Sequence, residues 1–223
     1  IVFGDWSSDV CSSDLYLNLS TAGSPTRMFC LDLIQNPGDG VYTLTQVANA
    51  PKPDGGTVGG TPGVNSYPMG TERAAWLGLL SNAYWNSGYL GTDSLKYAAL
   101  QVAIWEIVYE GENAGAVPAS WNVSGGDFKI ESNANVATEA NTILGVVWST
   151  VTASYGGNVL AAYNATPGAK LLGALVSNTY QDMLVRTIIE VPEPTSMVLA
   201  ALGLLGLVSR RRQIGRASCR ERV

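Results

Sequence analysis

The sequence predicts an α+β domain: a lobe of β-strands, a helical lobe, and a C-terminal apolar helix set apart from both. Three observations carry this. Short strand-like runs bounded by turn residues, "RMFCLDLI", "GVYTLTQV" and "MLVRTIIEV", lie towards the two ends of the chain. Three longer runs with helical character lie between them, and an apolar stretch ending in three arginines follows. Strands, then helices, then strands is the order of an α+β domain.

From Tyr16 to about Thr45 the pattern is strand-like. "RMFCLDLI" is bounded by Pro25 and by the turn sequence "NPGDG", and "GVYTLTQV" is expected as its partner strand. Residues 49–70 are rich in Gly and Pro and read as a long loop. "TERAAWLGLLSNAYW" reads as a helix with Thr71 as its N-cap and Gly88 near its end. A second helix begins near Thr92 and runs through "SLKYAALQVAIWEIVYEG". "GAVPASWNVSGGDFKI" reads as loop and short strand, and "ANVATEANTILGVVWSTVTA" as a third helix. Between Asn158 and Glu190 there are short strand signals, "MLVRTIIEV" being the clearest.

The two ends read differently. "CSSDL" back-translates to TGC TCT TCC GAT CT and "IGRAS" to ATC GGA AGA GCG TC, which contain reverse complements of one another. Both flanks therefore resemble translated sequencing-library adapters, and residues 1–15 and 214–223 are expected to stay out of the domain core. On this reading Tyr16 to Gln213 is the biological insert, and the signal peptide that an exported protein needs is expected to be lost by truncation. Setting aside Asp5, Asp9, Asp14, Glu221, Arg216, Arg220 and Arg222 takes 18 acidic and 13 basic residues to 14 and 10, a net charge of -4. Cys30 is then the one native cysteine. Nothing in this balance suggests nucleic-acid binding. The chain has no histidine, which excludes a Ser-His-Asp triad, a Cys-His dyad and histidine-ligated metal sites. No catalytic residues, cofactor or metal are expected.

"VPEPTSMVLAALGLLGLVSRRR" combines Pro192-Glu193-Pro194, an apolar run, and Arg210-Arg211-Arg212. As a helix, Thr195 to Ser209 would be roughly 22 Å long. That is short for a bilayer core of about 30 Å, but arginines can snorkel and would stay on the cytoplasmic side. The arrangement resembles the PEP-CTERM sorting signal of Gram-negative bacteria over Val191 to Arg212. The resemblance implies export, transient membrane anchoring, and cleavage by an exosortase-type membrane protease, often alongside exopolysaccharide. The segment 191–213 is therefore expected to be a sorting module, with a helix over Met197 to Val208 projecting from the domain 16–190.

The second helix carries the chemistry. At about 100° per residue, Tyr97, Leu100, Ile104, Trp105 and Val108 share a broad apolar arc. Lys96, Ala99, Ala103, Glu106 and Glu110 take the remainder, where the glutamates are expected to be solvated. Gln101 falls in the middle of the apolar arc. A primary amide buried without partners costs a few kcal/mol, so backbone must satisfy it or chemistry must use it. Lone cysteines such as Cys30 are usually small buried hydrophobes. One chemistry accounts for both residues: the Cys30 thiolate attacks the Gln101 carbonyl and expels ammonia, leaving an internal thioester.

The same residues carry a resemblance. Phe29-Cys30 in "FCLDL", followed by Gln101, Ala103, Ile104 and Trp105 in "LQVAIW", resembles the Cys-Gln thioester domain of bacterial surface adhesins, with Leu100 where that family often has Thr. The resemblance spans about Met28 to Val185. It implies that Cys30 is the acyl carrier, that Gln101 is the acyl donor, and that Trp105 helps to cover the bond. The expected activity is covalent attachment to an amine or hydroxyl of a protein or polysaccharide at the cell surface or in the matrix. That is a single-turnover anchor, not an enzyme. Two alternatives stand beside it: a non-reactive exported structural or exopolysaccharide-associated protein in which Cys30 and Gln101 merely pack, and a hydrolase built on Asp32, Asp39, Glu106 and Glu110.

Overall fold

The computed structural model describes residues 2–3, 16–17, 26–33, 41–51, 68–85, 87–110 and 120–186. The chain divides into two compact units, Ile1–Ile188 and Ile189–Val223. The sorting segment and its expected helix belong to the second unit and lie outside the described residues, as do Trp6 and Val10 of the N-terminal flank.

The α+β class holds. Strands β1 (Val2–Phe3), β2 (Tyr16–Leu17), β3 (Thr26–Cys30) and β4 (Thr43–Gln46) precede the helices α1 (Thr71–Tyr84), α2 (Ser87–Leu90) and α3 (Ser94–Tyr109). Then come β5 (Lys129–Ile130), α4 (Ala134–Tyr155), α5 (Val159–Ala165), a 3-10 helix (Pro167–Leu171), β6 (Leu172–Val176) and β7 (Met183–Arg186). β1 pairs in parallel with β5, so Val2 and Phe3 of the expected adapter segment run beside Lys129 and Ile130. The main sheet is antiparallel with order β2-β3-β7-β6-β4.

That order corrects one expectation. β3 and β4 share the sheet but are not partners, because β7 and β6 lie between them. The C-terminal hairpin carries the continuous, apolar-rich stretches "LGALV" and "MLVR", which are suited to the sheet centre, while β4 keeps exposed residues such as Leu44 at the edge.

α1 starts on Gly70, whose positive φ of 82° no other residue adopts without strain. Thr71 is its first helical residue and not its cap. α3 is capped by Asp93, which accepts from the Leu95 N–H at 3.0 Å. α4 is capped by Asn133 and ends in Gly156 in the left-handed region. The short helices α2 and α5 go beyond the sequence reading, being too brief to show periodicity.

The core is one cluster drawn from sheet and helices together. α3 forms its axis. Its main partner is α4, and α1 packs on a second side. From Ala99 to Tyr109 every residue of α3 is buried, so the helix has no solvent face there.

Candidate functional site

α3 runs alongside the end of β3 and grips it at three places. Tyr97 stacks on Phe29 with ring centroids 6.4 Å apart, and Trp85 meets the same phenyl ring edge-on at 4.7 Å. Gln101 bonds the backbone of Cys30. Tyr109 accepts from the Leu33 N–H at 2.9 Å, and its hydroxyl lies 3.4 Å from Asp32 Oδ1. The far end of α3 is fixed by Arg73 of α1, whose guanidinium donates to the carbonyls of Ile107 (2.6 Å) and Glu110 (2.8 Å). A buried cation on the last carbonyls of a helix also suits its dipole.

The contact between Gln101 and Cys30 is a two-point clamp. The Cys30 N–H donates to Gln101 Oε1 at 2.8 Å, and Gln101 Nε2 donates to the Cys30 carbonyl at 2.8 Å. The ladder explains why those groups face the helix. Leu31 N–H points to the Asp182 carbonyl on the β7 side at 2.8 Å, so in an alternating antiparallel ladder the N–H and C=O of Cys30 point the other way. Pairing with β2 is described only at Thr26 and Arg27. The carboxamide supplies the two bonds that a strand residue would exchange there. Both residues are 5 % exposed.

The remaining expected residues are all in the core. Phe29 backs the strand onto α3, Ala103 and Ile104 are buried, and Trp105 is buried with its ring 6.5 Å from Phe128. Tyr97 and Tyr109 were not singled out in the sequence, although their spacing from Gln101, one turn before it and about two turns after, puts them along one side of α3.

Acidic groups stand close by. Asp32 and Asp182 are both buried, and Gln181 Nε2 donates to the Asp32 carbonyl. Asp182 accepts from the Ser177 N–H at 2.8 Å. Burial, helped by the charge of Asp32, pushes Asp182 up to about 6 even though that hydrogen bond opposes the shift.

The glutamates of α3 are not surface groups as a pair. Glu106 is fully buried, and the arc expected to face water meets the loop before β5. Its Oε1 accepts from the Asn122 N–H at 2.7 Å, while Oε2 has no hydrogen-bond partner among the described residues. Burial raises its pKa to about 8, with the charges of Glu110 and Asp127 adding to the rise and the Asn122 bond opposing it. Glu110 is half-buried and accepts from the N–H groups of Asp127 (2.8 Å) and Phe128 (3.1 Å). Both carboxylates thus hold the loop before β5. Asp39 lies outside the described residues.

A model of the PEP-CTERM protein-sorting motif matches residues 190–213. The motif marks an exported protein that is sorted by its C-terminal signal, transiently anchored in the membrane and recognised by exosortase, a membrane protease. No curated protein matches the chain, and no solved structure matches it.

Proposed function

We propose that this exported protein forms an internal thioester between Cys30 and Gln101 and uses it to attach covalently to an amine or hydroxyl of a surface or matrix partner. One observation carries the reading: a glutamine 71 positions away along the chain delivers its carboxamide to the one native cysteine. The clamp holds the Gln101 carbonyl carbon next to the residue whose thiol would attack it, which is the positioning an intramolecular reaction exploits. Attack forms the S–C bond and drives negative charge onto Oε1. The Cys30 N–H already lies within the range at which a donor stabilises such an oxyanion. The C–N bond then breaks, and the thiol proton leaves with the amide nitrogen as ammonia. A partner amine or hydroxyl later attacks the acyl carbon, Cys30 departs as the thiol, and an amide or ester links Gln101 to the partner. Each molecule reacts once, so the protein is an anchor and not a catalyst. Burial of both residues supports the reading by shielding a thioester from water.

The sorting signal supports the setting. Cleavage behind Pro192-Glu193-Pro194, with the apolar run and Arg210, Arg211 and Arg212 retained at the membrane, would release the domain to the surface or matrix of a Gram-negative cell.

A second reading has its own observation. The two hydrogen bonds already satisfy the buried amide, so Gln101 needs no covalent bond to be stable where it is. Cys30 and Gln101 would then be packing residues of a non-reactive exported protein. Incubation with methylamine separates the two readings. The thioester reading expects one methylamine on Gln101, located by peptide mapping, and none in Cys30→Ala. An unmodified Gln101 peptide favours packing alone.

A further inference from the structure

Residues 121–128 lie against α3 as a strap. Its apolar side chains turn inward: Trp121, Val123 and Phe128 are buried, with Trp121 edge-on to Trp76 at 6.0 Å and Phe128 stacked beside Tyr109 at 6.4 Å. Side chains of two helices hold its backbone. Glu106 Oε1 accepts from the Asn122 N–H at 2.7 Å, Asn141 Oδ1 of α4 from the Val123 N–H at 2.9 Å, and Glu110 Oε2 from the N–H groups of Asp127 and Phe128. The Ile130 N–H, donating to the Val123 carbonyl at 2.9 Å, closes the strap on β5. Glu106 is the weak point of this arrangement. It is wholly buried, and its Oε2 has no hydrogen-bond partner among the described residues. A neutral carboxylic acid tolerates that position. A carboxylate does not, because a buried, uncompensated charge costs far more than a buried neutral group. The charges that bear on it, Glu110 from α3 and Asp127 from the strap, have the same sign. Cations on the neighbouring elements are engaged: Arg73 of α1 donates to the Ile107 and Glu110 carbonyls, and Lys129 of β5 pairs with Glu131 at 2.8 Å. On α4, Glu139 accepts from the Tyr89 hydroxyl.

We propose that residues 121–128 are a pH-sensitive cover on α3, kept shut by protonated Glu106 and released when Glu106 ionises. Opening lets both carboxylate oxygens reach water. It also withdraws Phe128 from Trp105 and Tyr109, and Tyr109 is the residue that fixes Leu33 beside the Cys30 clamp. The cover thus sits on the helix that carries Gln101, but its release does not depend on thioester chemistry. Burial raises the pKa of Glu106 to about 8 in the shut form, against an ordinary 4.5 once the side chain reaches water. The shut form is therefore fully favoured below about pH 4.5. It loses ground by up to about tenfold per pH unit as pH rises, and stops losing above about pH 8.

Hydrogen–deuterium exchange of the full-length protein tests this, read by peptide mass spectrometry between pH 5 and 9 and corrected for the intrinsic exchange rate. The backbone N–H groups of Asn122, Val123 and Phe128 should lose protection by up to about tenfold per pH unit as far as about pH 8, then level off. At each pH they should exchange faster than those of Ile143 and Leu144 in α4, the mark of a local opening. Glu106→Gln keeps an acceptor for the Asn122 N–H and should abolish the pH dependence at the strap. Wild-type strap protection that stays flat with pH overturns the proposal, and this readout needs no variant to fold. So does strap exchange in step with α4 at every pH, because the strap N–H groups would then be exposed only when the whole domain unfolds. An unchanged slope in Glu106→Gln overturns it as well, by assigning the titration to another group.

Discussion

The carboxamide of Gln101 stands beside Cys30 as a neighbouring strand residue would, accepting from its N–H and donating to its C=O, each at 2.8 Å. The pairing is buried, so its loss exposes no group to water and leaves two backbone groups unsatisfied.

Gln101→Ala should therefore destabilise the domain by about 2–4 kcal/mol, the cost of two orphaned backbone groups and a small cavity. Denaturant unfolding at constant m-value measures it. Gln101→Glu should cost less in acid than at neutral pH, because only the protonated acid can donate to the Cys30 carbonyl. Equal losses at both pH values would show that the carboxamide is not clamped as described.

Glu106 sets a pH dependence of stability. Its folded-state pKa, about 8, lies above the ordinary 4.5, so the native state keeps a proton that the unfolded chain has released. Stability therefore falls as pH rises from about 4.5 to about 8, by up to about 1.4 kcal/mol per unit. Asp182 acts in the same direction between 3.8 and about 6. Glu106→Gln should flatten the upper part of the curve and Asp182→Asn the lower, as read from unfolding midpoints between pH 4 and 9.

Gly78 of α1 allows the closest approach to the 3-10 helix that follows α5. A Cβ there would sit 2.6 Å from the Ala169 carbonyl oxygen and 2.7 Å from the Tyr163 ring. Alanine would gain up to about 1 kcal/mol of helix propensity, but the backbone oxygen cannot step aside cheaply. Gly78→Ala should lower stability by about 1–3 kcal/mol and reduce the melting temperature. A rise would show that the two elements can separate without cost.

The sorting signal predicts its own phenotype. Replacing Glu193 in Pro192-Glu193-Pro194 should leave the tail uncleaved and the protein in the membrane fraction, as seen by fractionation and intact mass. Unchanged release would mean that the matched motif is not what the protease reads.

Much of this was legible in the residues. The α+β order, the strand at Cys30 and the helix at Gln101 follow from periodicity and turn chemistry, and the polar amide in an apolar arc marked the site. Strand order was not legible, because local patterns carry no information on which strands meet across the 127 to 157 positions that separate residues such as Gln46 from Gly173 and Met28 from Val185. The same limit hid Glu106. A single helix shows an apolar arc but not what will cover its other side, and the loop before β5 meets Glu106 through the Asn122 N–H. The role of Tyr109 emerged only once α3 lay along Asp32 and Leu33.

The most direct test of the central claim is the intact mass of the purified, unreduced protein. A thioester between Cys30 and Gln101 predicts a mass one ammonia below that of the sequence, restored to the full value in Cys30→Ala after allowing for the substituted sulfur. A wild-type mass equal to that of the sequence, under conditions that preserve thioesters, would contradict it.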